Sequence, residues 1–450
     1  MKTLSFHRTQ YKKERSVKVK KILKMVIIGC GARGKETYGR YAMKDGSGLS
    51  IVAICDNDPI KLSSAKEEFG ISEEMCFADV NDLFALGKIA DCIVIANYDQ
   101  EHFAVTMKAI DLGYDILLEK PISNSLEECI KIRDFANEKK VKVTVCHVMR
   151  YTSYYMYLKK LLKDKVIGDL IAIEQTEDVS YWHMAHAFVR GNFRNSNTNS
   201  PMILQKCCHD FDLIMYLTEE RPISLTSMGD LRYFKEINAP KGACEFCVNC
   251  KEDCIFNAVN FYLGVYEDKV INNLDTNVWP LSQVAESPTK ERLLKALETT
   301  NWGKCVFKSD NNVVDHQFTT IKLEKGTIAT LTMIGFSNDG GRQTHCYGTN
   351  GEIYLDEQRR TIEISVFGQR KRIVHFDELS KDFTGPGGGD NEMMREFVEL
   401  LNSKTNSITS SIDLSVDSHI LAFASEYSRL HSSVCVDVKK FEKGNDENEI

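Results

Sequence analysis

Gly29-Cys30-Gly31-Ala32-Arg33-Gly34 follows the apolar run KMVII and opens a segment of helical period. In such a turn the first glycine permits a sharp reversal, the second lets the backbone approach a pyrophosphate, and the third allows close helix packing. The helix N-terminus adds unpaired N–H groups and a favourable dipole for phosphates. Alone the pattern is weak, but here it sits in the strand-turn-helix context that its chemistry requires. Asp56 ends the next apolar run, 22 residues after Gly34. A carboxylate at that place accepts hydrogen bonds from both ribose hydroxyls and repels a 2′-phosphate, so the spacing favours NAD over NADP. Lys61 nearby keeps NADP open.

A second constellation is Cys244, Cys247, Cys250 and Cys254, spaced C-x2-C-x2-C-x3-C. Iron–sulfur proteins use such a spacing, but Ile255 rather than proline follows the fourth cysteine, and no second run is present. Four thiolates this close can equally surround one zinc ion and tie down a loop that lacks an apolar core. A structural zinc is the first expectation, a bare thiol loop the second and an iron–sulfur cluster the third. Disulfides come last in a chain read as cytoplasmic. Of the 15 cysteines, Cys30, Cys55, Cys92, Cys129, Cys146 and Cys435 lie in apolar runs and read as buried thiols.

The elements that must position these groups follow from periodicity. From Met25 to Met149, short apolar runs (MVIIG, SIVAIC, DCIVIA, DILLEK, VKVTVCHV) alternate with helix-period segments, the pattern of a doubly wound α/β domain with a parallel sheet. After Arg150 a helix to Leu161, strands near Ile171 to Val179, a helix from Asp210 to Leu217 and long alternating runs predict an α+β domain. Its sheet is expected to be open and mostly antiparallel, with helices on one face. The predicted organisation is a basic extension (1–24), a Rossmann domain (25–149), a substrate domain (150–438) with a cysteine-rich insertion at about 240–258, and a polar tail (439–450). Lys and Arg total 57 against 64 Asp and Glu, a net charge of -7 that offers no general attraction to nucleic acid or anionic lipid. No stretch has the length of a transmembrane helix or the core of a signal peptide, so a cytoplasmic protein is expected.

Glu119-Lys120-Pro121 ends a predicted strand about 90 residues after the glycine loop. With the run from Asp91 through His102, Arg150 after the last Rossmann strand, and QKCCHDFD at 205–212, the chain resembles the Gfo/Idh/MocA oxidoreductases from residue 25 to about 438. The resemblance implies a nicotinamide held between the domains and a sugar, inositol or related substrate. It implies cofactor contacts from Gly29, Gly31, Ala32, Arg33, Gly34, Asp56, Asn97, His102, Glu119 and Lys120. Lys120 is expected to position and polarise the reacting oxygen. His209 is expected to move the proton, with Asp212 one helical turn on to orient it or bind substrate. Many sugar dehydrogenases of the family carry an aspartate four residues before this histidine; here Gln205 stands there, followed by Lys206. The cysteine loop resembles one in a branch of the family in which three of the four positions recur, which makes Cys305 an alternative to Cys250 as fourth ligand.

The segment YWHMAHAFVRGNFRN, residues 181–195, reads as a substrate loop. Aromatic faces stack on sugar rings, and arginines bind hydroxyl or carboxylate oxygens. Arg150, Trp182, His183, His186, Arg190, Asn192 and Arg194 are the expected substrate residues. The resulting expectation is a homo-oligomeric, NAD-dependent dehydrogenase acting on a secondary alcohol of a carbohydrate or cyclitol. Its alternatives are an NAD-dependent glycosidase working by transient oxidation and elimination, and a non-enzymatic NAD-loaded sensor.

Overall fold

The computed structural model describes residues 21–273, 278–382, 387–402 and 408–444. Most of the basic extension, part of the GPGGGD run and the end of the polar tail lie outside the described residues.

The first domain is a six-stranded parallel sheet ordered β3-β2-β1-β4-β5-β6. Its strands are β1 (Leu23–Ile28), β2 (Leu49–Cys55), β3 (Cys76–Phe77), β4 (Cys92–Ile95), β5 (Asp115–Leu118) and β6 (Val143–Val145). Strands β4 and β6 are buried throughout, as expected for a sheet covered by helices on both faces. The crossover helices begin and end on local signals. Pro59–Phe69 starts after Asp58, whose side chain accepts from the Ile60 and Lys61 N–H groups, and stops at Gly70 with φ 65°. Register aligns Ile28 with Cys55 and Ile95, Ile95 with Leu118, and Leu118 with Val145. The next residues, Gly29, Asp56, Ala96, Glu119 and Cys146, therefore share the carboxyl edge, where ligands of such sheets bind.

The second domain is built on a nine-stranded sheet ordered β14-β13-β12-β11-β7-β10-β9-β8-β15. The strands are β7 (Leu170–Ser180), β8 (Pro222–Asp230), β9 (His316–Leu323), β10 (Ile328–Ser337), β11 (Gly341–Gly348), β12 (Gly351–Asp356), β13 (Thr361–Val366), β14 (Arg372–His375) and β15 (Val436–Asp437). Only β7 and β10 pair in parallel; the other neighbours are antiparallel. Strand β9 alternates buried and open positions, so one face looks to the core. Helix Ile412–Leu430 packs on both β8 and Leu126–Lys139 of the first domain. It buries Val416, Ile420 and Leu421, each worth about 1.5–3 kcal/mol in removed apolar surface. That helix ties the two sheets into one continuous core.

Between β8 and β9 the chain leaves the sheet and forms a helical subdomain with its own small core of Ala258, Tyr262, Leu281, Val284, Leu293 and Leu297. The cysteine run belongs to this larger unit. No described helix is long and apolar enough to cross a membrane.

Candidate active site

The glycine loop has the shape its sequence requires. Gly29 sits at φ +89°, and a Cβ there would lie 2.5 Å from the Ala96 backbone; one on Gly34 would lie 1.7 Å from the Gly29 carbonyl oxygen. At Gly31 an added Cβ meets nothing within 4 Å, so the loop has an open side at the start of the helix that begins at Ala32. Asp56 Oδ2 accepts from Cys30 N (2.6 Å) and Oδ1 from Asp58 N (2.8 Å), fastening the loop while each oxygen keeps a lone pair for a diol. Asn97 donates from Nδ2 to Glu101 (2.9 Å), and its buried Oδ1 has no partner among the described residues. An open phosphate-sized turn, an acceptor carboxylate and an orphaned amide oxygen on one sheet edge fit a bound dinucleotide.

Other expected cofactor residues position this edge. The buried His102 faces Pro121 O (2.8 Å) and Asn97 O (3.1 Å) with its two ring nitrogens, clamping the loops after β4 and β5 together. Arg33 is drawn away from the loop opening: Nε donates to Glu119 Oε1 (2.5 Å) and Nη2 to Asp390 Oδ1 (2.7 Å) on helix Gly389–Asn402. Glu119 also accepts from Tyr38 and from Lys120 N. Burial alone would raise the Glu119 carboxyl, but the charges of Arg33 and Lys120 and the tyrosine hydrogen bond hold it below the usual glutamate value. The side chains of His102, Arg33 and Glu119 are thus engaged with protein partners that shape the edge.

Next to this edge, against the second sheet, is a cavity of about 290 Å³. It is lined by Lys120, His183, Gln205, Lys206, His209, Arg342, Trp279 and Gln283, with Val148, Met149, Ala187, Phe188 and Phe193 as apolar wall. Lys120 Nζ donates to the Gln205 carbonyl (3.1 Å), which carries the first domain's lysine across to the second domain. His209 lies in the first turn of Cys208–Thr218, and its Nδ1 is buried without a partner among the described residues. Loss of water, followed by the charges of Lys120, His147, Arg342 and Lys206, holds its imidazole well below the ordinary histidine value. The resting side chain is therefore neutral, the form that accepts a proton.

The structure corrects several expected site residues. Arg150 and Asp212 are both buried and paired with each other, Nε to Oδ2 and Nη2 to Oδ1 at 2.6 Å each, with Nη1 on Thr409 O (2.8 Å). Arg150 does not line the cavity, and Asp212 orients the arginine instead of His209. Residues 181–190 form a helical segment in place of a loop, buried from Met184 to Arg190. His186 bridges Tyr262 Oη (2.7 Å) and Gln283 Oε1 (2.6 Å); burial lowers it to about 4. Arg190 donates to the Lys304 and Phe256 carbonyls, Arg194 pairs with Asp310 (2.6 Å), and Asn192 donates to Tyr98 Oη (2.9 Å). Trp182 stacks on Phe261 and His183 and backs Trp279. Of the expected substrate residues, only His183 lines the cavity. Sequence reasoning missed Arg342, Trp279 and Gln283. Lys206 had a signal, its place beside Gln205 in the motif.

The zinc expectation finds no support among the described residues. Cys247, Cys250, Cys254 and Cys305 share a cleft with Arg190. Cys244 turns away and donates to Asn249 O (3.3 Å). Cys247 Sγ receives Arg190 Nη2 (3.7 Å). Among the described residues no group of three or more His, Cys, Asp or Glu side chains is arranged to hold a metal ion. The loop is instead held by Arg190, by the Phe246–Lys304 bridge and by Cys305 N donating to Glu245 O (2.9 Å).

Residues 23–147 match the GFO_IDH_MocA family, described as an oxidoreductase family with an NAD-binding Rossmann fold. YteT of Bacillus subtilis, named as an oxidoreductase, is 22% identical over 391 residues, 81% of this chain and 86% of that protein. Inositol 2-dehydrogenase of Corynebacterium glutamicum is 27% identical over 211 residues, 46% of this chain and 57% of that enzyme, so this similarity spans little more than half of the enzyme. A crystal structure of an oxidoreductase from Agrobacterium radiobacter, in complex with NAD+, L-tartaric acid and magnesium, shares the fold. Its TM-score is 0.67 at 16% identity, covering 93% of this chain and 99% of that one. The sequence match identifies residues 23–147 as an NAD-binding Rossmann domain of the Gfo/Idh/MocA oxidoreductase type, and the fold, a Rossmann sheet whose carboxyl edge meets the cavity of an open antiparallel sheet, is shared over nearly the whole chain.

Proposed function

We propose that the protein interconverts a secondary alcohol and a ketone on a carbohydrate or cyclitol bound in the 290 Å³ cavity. The observation that carries this reading is the convergence of Lys120 and His209, from different domains, on one cavity beside the glycine-loop edge. Bound NAD supplies the hydride acceptor or donor; Gly29, Gly31, Gly34, Asp56 and Asn97 would hold it. The Lys120 ammonium hydrogen-bonds the reacting oxygen and stabilises the negative charge that develops there. His209 accepts the hydroxyl proton on its neutral imidazole. Phe188, Phe193 and Trp279 exclude water and offer apolar faces to the ring C–H groups. Asp56 favours NAD over NADP because a 2′-phosphate would meet its charge.

The test is a panel of sugars, sugar acids, cyclitols and glycosides incubated with purified protein and NAD. Net NADH formation that Lys120→Ala abolishes supports the reading. Released aglycone with no net NADH identifies a glycosidase instead, and no turnover together with NAD-dependent capture of a protein partner identifies a sensor. Self-association is proposed through the open face of the second sheet, where Met228 and Phe318 form an exposed cross-strand pair. A monomeric sedimentation coefficient at working concentration would refute that part.

A further inference from the structure

The charged groups around the cavity are arranged asymmetrically. Lys120, Lys206 and Arg342 line it, and among the described residues no carboxylate does. The acids that balance the latter two lie behind them. Glu177, on β7 directly opposite Arg342 on β11, is buried and gives one oxygen to each cation: Oε1 to Lys206 Nζ at 3.0 Å and Oε2 to Arg342 Nη2 at 2.5 Å. Asp210, also buried, takes Arg342 Nε at 2.9 Å. A single carboxylate thus bridges the ammonium and the guanidinium from the core side and fixes their separation at what a carboxylate spans.

Hydrogen-bond inventory sharpens the point. Lysine and arginine only donate, whereas a neutral polyol offers as many donors as acceptors and needs acceptors from its site. This cavity is rich in donors. Its free side-chain acceptors among the described residues are the Gln205 Oε1, on a residue only 5% exposed, and the imidazole nitrogens of His183 and His209. The position that carries an aspartate in many sugar dehydrogenases is here the neutral Gln205, which removes a charge that would repel an anion. Both cavity histidines sense the same field: after loss of water, the charges that lower them most are cationic, Lys206 for His183 and Lys120 for His209.

We infer that the substrate is a sugar acid whose carboxylate sits between Lys206 and Arg342, on the cavity side of the two cations that Glu177 bridges from behind. Its hydroxyls then reach Gln205, Lys120 and His209. A cavity of 290 Å³ lies at the small end of ligand sites, roughly 300–1,000 Å³, and suits one monosaccharide unit. The bound carboxylate also offsets the positive charge that depresses His209, so the anionic ligand itself makes the imidazole a stronger base when the hydroxyl is in place. This inference rests on the reading of the cavity as the substrate site.

The experiment titrates NAD-loaded protein by calorimetry with matched pairs, D-glucuronate against D-glucose and D-galacturonate against D-galactose, and follows NADH in parallel. At least one acid is expected to bind 10-fold or more tighter than its neutral partner. Lys206→Met should weaken that acid roughly 10- to 150-fold, the worth of one hydrogen bond to a charged group. Lys206→Arg should restore most of the affinity, which a merely structural role would not predict, and circular dichroism checks that each variant is folded. Equal affinity within the pairs, no binding of either acid, or acid affinity unchanged in Lys206→Met overturns the inference. Acid binding without NADH leaves the carboxylate subsite standing and removes the oxidation reading; NADH from neutral sugars with no preference for acids does the reverse.

Discussion

Replacing Asp212 tests whether the motif residue next to the candidate base is chemical or structural. In Asp212→Ala the Arg150 guanidinium, 3% exposed, keeps only the Thr409 carbonyl out of three hydrogen-bonded contacts. Stranding one member of a buried pair costs about 3–5 kcal/mol, a fifth or more of the roughly 5–15 kcal/mol that holds a typical protein together. At about 2.1 cal/mol/K of unfolding entropy per residue, a cooperative unit this long shifts by roughly 1 °C per kcal/mol, so the thermal midpoint should fall by about 3–5 °C. Removing both charges in Arg150→Met/Asp212→Leu should recover most of that loss, because a packed apolar pair replaces a desolvated ionic one. Scanning calorimetry measures the midpoint, and turnover per folded molecule is measured alongside, with the double variant expected within about threefold of the unaltered protein. An Asp212→Asn protein with an unchanged midpoint and a hundredfold loss of turnover would refute the reasoning, since the carboxylate would then be acting through His209.

Lys120→Ala and His209→Ala should each lower turnover by roughly a hundredfold with a much smaller change in NAD affinity. Because His209 is held well below the ordinary histidine value, the acidic limb of the turnover profile should lie below the usual histidine range of about 6.5; a limb at 6.5 lost in His209→Ala would show that the charges around it are screened. Asp56→Ala should narrow the preference for NAD over NADP and also weaken NAD, since the Cys30 and Asp58 N–H groups lose their acceptor; equal affinity of the unaltered protein for both cofactors would remove the basis for the claim. His419 accepts the Ile122 N–H at 2.9 Å and is pushed down to about 3 by burial. Its native form binds fewer protons than the unfolded chain between that value and about 6.5, so its contribution is whole above 6.5 and is lost as the pH falls. Thermal midpoints between pH 7 and 4 should drop less steeply in His419→Gln, and parallel profiles would sink the assignment.

The Rossmann half was legible because its signals are contiguous. A strand, a glycine turn and a helix start fit within a dozen residues from Lys24 to Lys35, and Asp56 lies at the end of the next strand, so local periodicity and backbone sterics alone specify where the dinucleotide edge forms. The alternation in β9 and β10 likewise announced the antiparallel sheet. The cavity was different, because it joins Lys120, His183, Lys206, His209, Trp279 and Arg342 from widely separated segments, and only packing decides which of many charged side chains meet. Arg150 and Asp212 carried the right chemistry for a site yet neutralise each other in the core, while Arg342, inside an ordinary-looking strand, is the one held at the cavity by Glu177 and Asp210. The aromatic and basic run at 181–195 has the stacking faces and arginines of a substrate loop, but its Met184 to Arg190 stretch is helical and buried, with His186 and Arg190 bonded to Tyr262 and Phe256 of the helical subdomain. A residue's type sets which bonds it can make; its partner, supplied by a distant stretch of chain, sets whether those bonds are spent on the fold or left for a ligand.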